Sequence, residues 1–304
     1  MAGTLLSLGH GYSAQALARR LLPAGWRILA TSRRPEALAG QGVEPVLWPG
    51  TPLGPLLAQA THVLSSVPPG PEGDPVLAAE RGALAGAGHL AWVGYLSTTG
   101  VYGDAGGGWV DEATPPAPGS PRAAARLAAE RAWAEVCAEA GVPLAVFRLA
   151  GIYGPGRSPF ERLRAGTARA VVKPGQVFSR IHVEDIAAAL AAAMARPDAT
   201  GVFNLADDLP APPEEVLWHA ADLAGLPRPP AVDIEAAGLS PMAREFYAES
   251  RRVRAARLGP VLGVTLAHPD YRAGLAAILA AQTPEGQAGR PPAGLRGGPA
   301  ATLR

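Results

Sequence analysis

The sequence predicts an α/β fold, a doubly wound parallel sheet carrying a smaller lobe, on three observations. Through the first half of the 304 residues, short apolar runs alternate with helical patterns. A glycine-rich turn lies between the first run and the first helix. After Gly151 the rhythm changes, and only two later segments read as parts of the same core. Strands that are apolar throughout, rather than alternating, are those buried on both faces by crossover helices. Right-handed crossovers then wind the sheet in both directions.

Thr4 to Leu8 reads as the first strand, and Ser13 to Leu22 as a helix ended by Pro23. Trp26 to Thr31, Val46 to Trp48 and His62 to Val67 read as the next three strands. Pro75 to Ala87 is helical, Leu90 to Ser97 a strand, Pro121 to Ala140 a long helix and Leu144 to Leu149 a strand. Val183 to Met194, a helix, and Gly201 to Leu205, a strand, return to the core. The expected division is a core of residues 1–158, joined by 181–205, and a smaller lobe of 159–180 and 206–281. Residues 282–304, rich in Gly and Pro, read as a disordered tail.

Lys+Arg 27 against Asp+Glu 26 gives a net charge of +1, which argues against a dedicated nucleic-acid surface or a polybasic membrane patch. Only one of those basic residues, Lys173, is a lysine. The single cysteine, Cys137, excludes an intramolecular disulfide framework and any multi-Cys metal site. It lies in an Ala-rich helical stretch and reads as a packed core thiol, and no metal is expected. The N-terminus lacks the basic flank of a signal peptide, and no apolar run approaches the roughly 20 residues that span a bilayer. A soluble, cytoplasmic protein is expected.

Gly9-His10-Gly11-Tyr12-Ser13-Ala14 follows the first strand and opens the first helix. The first glycine permits a tight turn, the second lets a diphosphate approach the backbone, and Ala14 lets helix and strand pack closely. Free amides at the positive end of the helix dipole then hold the anion. In this strand–turn–helix setting the loop predicts a Rossmann-like dinucleotide site, with the lobe closing a substrate-binding cleft over the strand ends. The second strand ends Thr31-Ser32-Arg33-Arg34, with no acid between Ala24 and Pro35. An acid there would repel a 2′-phosphate, whereas Arg33 can clamp one and Ser32 can donate to it. NADP(H) is therefore expected over NAD(H).

Four further segments carry a resemblance: Leu96-Ser97-Thr98-Thr99-Gly100-Val101-Tyr102-Gly103, Phe147 to Gly156, Ser179 to Ile186, and Gly201 to Leu205. With them the sequence resembles the extended short-chain dehydrogenase/reductase family, in its NAD-dependent epimerase/dehydratase group, over residues 3–281, and looks closest to the atypical branch. The resemblance implies cofactor contacts at Ser66, Val67 and Pro68 after the fourth strand, and at Ser97, Leu149, Ala150 and Ile152. It implies hydride transfer on a hydroxyl- or carbonyl-bearing small molecule such as a sugar nucleotide. A homodimer is compatible with it.

Family enzymes pair a tyrosine with a lysine four residues on, the tyrosine exchanging a proton and the lysine holding the ribose. No Tyr-x-x-x-Lys exists in this chain, and aligning the long helix on Glu130 puts Arg122 and Arg126 at those positions. Arginine does not act as an acid or base near neutral pH. Arg126 can still hold a ribose, or pair with Glu130 one turn on; Arg122 can bind an anionic substrate or face solvent. Thr98 stands where the family carries its active-site hydroxyl, and Tyr102 is the remaining phenol of the motif. The Tyr153–Arg157 and Tyr247–Arg251 spacings read as accidental. Arg180 matches a position that contacts the anionic part of substrates, or else pairs with Glu184 or Asp185. His182 reads as a packed histidine. Trp48-Pro49-Gly50 replaces the acid many members carry near the adenine. The rival reading is a non-catalytic NADP(H)-binding sensor or scaffold protein.

Overall fold

A computed structural model describes residues 2–282 of the chain. Seven strands form the central sheet: β1 (Thr4–Leu8), β2 (Arg27–Ser32), β3 (Glu44–Leu47), β4 (His62–Ser65), β5 (Trp92–Thr98), β6 (Leu144–Leu149) and β7 (Gly201–Leu205). Their order is β7-β6-β5-β4-β1-β2-β3, and every neighbouring pair is parallel. The order reverses between β1 and β4, which opens a crevice at the carboxyl ends of those strands. β1 shows why the strands lack alternation: Leu5 packs into the core on one face of the sheet and Leu6 into the core on the other.

Two helices cover one face, α1 (Tyr12–Leu21) and, later in the chain, the helix Val183–Met194. Ala14 and Ala18 of α1 are buried, as are Ala187 and Ala193 of its partner, and these small side chains let the two helices pack together. On the other face lie α2 (Pro75–Ala85) and α3 (Pro121–Ala140). Asp74 caps α2 by accepting from the amides of Val76 and Leu77, while its second oxygen accepts from Trp133 Nε1 of α3 at 2.9 Å. Ser120 caps α3, Pro121 occupies its first turn, and Gly141 at φ 68° ends it. The helix Val183–Met194 is α4.

Beyond β7 the chain adds α5 (Pro213–Leu223), α6 (Pro241–Ala248) and α7 (Tyr271–Gln282), in the segment expected to form the lobe. A separate apolar cluster there includes Phe160, Leu163, Leu217, Tyr271 and Leu275. The stretch Arg252–Leu262, expected with the lobe, instead packs Val253, Leu258 and Leu262 into the core on the α1 side of the sheet. Three two- or three-residue strand pairs, such as Gly151–Tyr153 with Arg180–His182, are too short to show periodicity in sequence. β3 ends at Leu47 and β4 at Ser65, so Trp48, Ser66 and Val67 belong to loops. Apart from Gln282, which ends α7, the expected tail lies outside the described residues. No described helix is long and apolar enough to cross a membrane.

Candidate functional site

The glycine loop closes β1 at the point where the strand order reverses. Gly9 has φ +75°, which favours glycine, and a Cβ there would stand 3.0 Å from Val67 Cγ2. The Gly9 amide donates to Thr31 Oγ1 at 2.8 Å and the His10 amide to the Thr31 carbonyl at 2.9 Å. The Ser66 hydroxyl donates to the Gly9 carbonyl, bracing the loop from β4. α1 starts after Gly11 with no side-chain cap, and a Cβ on Gly11 would meet nothing nearer than the Gly9 carbonyl oxygen at 3.8 Å. The first-turn amides are thus free to meet an anion, and a side chain at Gly11 would fill the room it needs. This cradle fits the diphosphate of a dinucleotide.

The other loop residues turn elsewhere. His10 is 5% exposed, its Nδ1 hydrogen-bonds with Ser7 Oγ at 2.9 Å, and burial pulls its pKa down to about 4. The Tyr12 hydroxyl donates to the Pro155 carbonyl at 2.8 Å and the Arg157 guanidinium lies 4.4 Å from its ring centroid, so this side chain ties α1 to the chain after β6. Ser13 and Ala14 are buried. At the end of β2, Ser32 Oγ accepts from the Arg34 amide, while Arg33 is exposed and its side chain makes no hydrogen bond or ion pair among the described residues. Pro68 is exposed beside the loop.

A cavity of about 520 Å³ opens at the carboxyl ends of β5 and β6. Thr98 and Gly100, Arg122 and Arg126 of α3, and Leu149, Ala150 and Gly151 line its core side. Thr98 Oγ1 accepts from the Gly100 amide at 3.1 Å, which leaves its own proton available to a ligand. Arg126 Nη1 donates to Tyr95 Oη at 3.2 Å and to the Leu96 carbonyl at 3.1 Å; Arg122 is exposed one turn earlier. The pairing of Arg126 with Glu130 does not form. Glu130 is turned into the core, where its carboxylate pairs with Arg148 at 2.8 Å and accepts from the Ser97 hydroxyl. Ser97 is buried by that bond, and Ile152 packs against the core; neither lines the cavity.

Tyr102 is corrected by the structure. Its hydroxyl donates to Asn204 Oδ1 at 2.8 Å, Arg148 lies over its ring, and burial raises its pKa. The turn Thr99–Tyr102 carries this phenol under the sheet end, away from the cavity. The phenol that does line the cavity is Tyr247, from α6, and with Glu249 and Arg251 it is the part that sequence reasoning missed. α6 ends at Ala248, so Tyr247 and Arg251 are not one helical turn apart, yet both face the same space. Lys173, the lone lysine, holds the segment by donating to the Tyr247 carbonyl, and Gln176 donates to that of Glu249 at 2.8 Å.

Arg180 does not line this cavity. Its Nη1 donates to the carbonyls of Phe178 and Ala211, and neither expected ion pair is made. Glu184 pairs with Arg19, and Asp185 pairs with His268 at 3.0 Å. His182 Nδ1 caps α4 by accepting from the Glu184 amide, and burial, with His268 adding to it, pulls its pKa down to about 4. The potential ligand atoms of His182, Asp185 and His268 lie within 4.8 Å of one another. The two imidazoles are stacked with centroids 3.8 Å apart, and Asp185 is already bonded to His268. That is a hydrogen-bonded stack, not a set of ligands converging on one metal.

Residues 85–206 match the model of the NAD dependent epimerase/dehydratase family. No curated protein matches the sequence. Among solved structures the chain is similar to a conserved protein of unknown function from Silicibacter pomeroyi DSS, with 55% identity, 93% of this chain and 100% of that one covered, and a TM-score of 0.86. It shares its fold with MoeE5, solved with UDP-glucose and NAD, at 24% identity, coverage of 91% and 97%, and a TM-score of 0.73. It also shares it with UDP-glucuronic acid 4-epimerase from Bacillus cereus, solved with NAD, at 16% identity, coverage of 91% and 96%, and a TM-score of 0.74. The family match falls on the segment that builds β5, α3, β6 and β7, where the motifs lie, and that segment is an NAD-dependent epimerase/dehydratase family domain.

Proposed function

We propose that the protein is an NADP(H)-binding oxidoreductase that acts on a hydroxyl- or carbonyl-bearing small molecule, such as a sugar nucleotide. One observation carries the reading: the glycine cradle after β1 and the Thr98 cavity after β5 and β6 both lie at the carboxyl ends of strands of one parallel sheet. MoeE5, similar in fold, was solved with UDP-glucose and NAD, which supports a nicotinamide cofactor and a nucleotide-sugar type of substrate. A bound nicotinamide would supply hydride exchange. The first-turn amides of α1 would hold its diphosphate, Arg33 and Ser32 a 2′-phosphate, and Arg126 the ribose. Thr98 would donate to the substrate oxygen, and Arg122 would meet an anionic substituent.

Proton supply falls to Tyr247. Burial raises its pKa, so the phenol keeps its proton at neutral pH and is suited to donate rather than to accept. A setting in the cytoplasm and a homodimeric assembly accord with this reading.

A second reading is favoured by the arginines at the tyrosine and lysine positions: a non-catalytic protein that senses or carries NADP(H). Single-turnover absorbance of reduced cofactor against aldehydes, ketones and nucleotide sugars separates the two. Oxidation with any of them is expected for the enzyme. Micromolar binding without oxidation across the panel assigns the protein to the second reading.

A further inference from the structure

α6 differs from the other helices in how little holds it. No described side chain of Pro241–Ala248 is buried, whereas α1, α3 and α4 each bury six or more residues. Its Ser240 cap and the bond from Arg244 Nε to the Leu239 carbonyl stay within its own first turn. The hydrogen bond that ties α6 to the rest of the chain, among the described residues, comes from Lys173, whose Nζ donates to the Tyr247 carbonyl. Rings add a little more: Phe178 lies 4.3 Å from Phe246 and 5.4 Å from Tyr247 between centroids. An eight-residue helix is marginal by itself in water, and burial of one face normally makes up the difference.

The chain on either side is tied down. Before α6, the Ile234 amide donates to the Val172 carbonyl at 3.1 Å, and Gly238 turns the chain at φ +59° between that anchor and the helix. After α6, Gln176 Nε2 donates to the Glu249 carbonyl at 2.8 Å and the Ser250 amide to Asp104 Oδ1 at 2.8 Å. The Ser250 carbonyl accepts from the Gly107 amide at 2.9 Å. α6 is therefore a weakly packed bridge between two fixed points, and it is seated on the Thr98 cavity, which Ala243, Glu245, Phe246 and Tyr247 help to line. Phe246 is still 57% exposed there, so a ligand in the cavity would bury apolar surface against it.

We propose that α6 is a lid over the Thr98 cavity, latched at its C-terminal end by Lys173. The inference rests on the reading of that cavity as the place where cofactor and substrate react, and adds how access to it is controlled. Opening α6 admits ligands and carries Tyr247, the proton donor of that reading, away from the substrate oxygen. Closing brings the phenol back, covers Phe246 against the ligand and excludes water while hydride moves. Lys173 does not line the cavity and is a positioning residue. Its ammonium sits on a carbonyl in the last turn of α6, where a cation also meets the negative end of the helix dipole.

Hydrogen exchange of the full chain, read segment by segment by mass spectrometry, tests it. In the free protein the α6 amides should exchange at least about 100-fold faster than those in the middle of α3. Saturating NADPH, alone or with a nucleotide sugar of the oxidation panel, should slow α6 about tenfold and leave α3 unchanged. Lys173→Met should speed α6 about tenfold with α3 unchanged, and Lys173→Arg, which keeps a donor, should restore it. Exchange in α6 as slow as in α3, no slowing by any of these ligands, or a Lys173→Met effect that is absent or spreads to α3 would overturn the proposal. Cofactor fluorescence separates that failure from failure of the functional reading. NADPH bound with α6 unaffected removes the lid alone. NADPH that does not bind removes the functional reading, and the lid then stands only if a nucleotide sugar by itself slows α6.

Discussion

On the proposed reading, Arg33 is the side chain that would select NADP(H) over NAD(H). It is exposed, it has no hydrogen-bond or ion-pair partner among the described residues, and no acid lies between Ala24 and Pro35 to compete with a 2′-phosphate for its guanidinium. Arg33→Ala is expected to weaken NADPH by about tenfold or more while leaving NADH unchanged, read from quenching of cofactor fluorescence. An equal loss for both cofactors would show that the residue acts on the loop and not on the phosphate. Thr98 caps the turn after β5 and, on the proposed reading, also donates to the substrate, so its substitution is expected to have two effects. Thr98→Ala removes the cap on the turn after β5, worth about 1 kcal/mol, and the donor to the substrate, worth about 10²-fold in turnover. Thr98→Ser should restore both. If Thr98→Ala lowers the melting temperature while single-turnover oxidation continues at the normal rate, the hydroxyl serves the fold alone.

At the scale of elements, α3 joins the cavity to the core. Its first turns bring Arg122 and Arg126 to the cavity, and the next turns send Glu130 and Trp133 inward. Its boundaries were legible because Ser120, Pro121 and Gly141 are local signals that act within one turn. The partner of Glu130 was not legible, since Arg148 comes from β6 and only the sheet brings the two together. Both members of that pair are about 95% buried, so each alone is an unpaired charge in a poorly hydrated place. Glu130→Gln or Arg148→Met is expected to cost about 3–5 kcal/mol in urea denaturation. Joint replacement, Glu130→Met with Arg148→Met, should recover most of the loss. Two single losses that simply add in the double variant would argue that the pair is not coupled.

The whole molecule responds to acid through histidines placed on both of its parts. His10 lies under the glycine loop and His182 at the junction with the lobe, and burial holds each near pKa 4. In the unfolded chain each takes a proton near pH 6.5. At these two groups the folded state therefore binds fewer protons in that interval: their contribution to stability is complete above about pH 6.5 and declines as pH falls toward about 4, opposed in part by Asp207, whose pKa burial raises to about 7. Urea midpoints measured from neutral pH downward should show this slope, and His10→Gln should flatten it. A wild-type midpoint that stays constant over that range would contradict the burial argument. The lobe's share of the Thr98 cavity belongs to this scale too, because Tyr247, Glu249 and Arg251 reach it only when residues far along the chain fold back over β5.

By itself the sequence determined the parallel sheet, the helices over it, the glycine cradle and the lack of any Tyr-x-x-x-Lys pair. Each of these is written within a few consecutive residues, as periodicity, a cap, a turn or a spacing. Only the tertiary structure decided which side chains meet. It put Tyr102 under the sheet and Tyr247 in the cavity, paired Glu130 with Arg148, and brought Lys173 to the end of α6. Those outcomes depend on how elements distant in sequence pack and which way each strand end turns, and no local pattern in the chain encodes that.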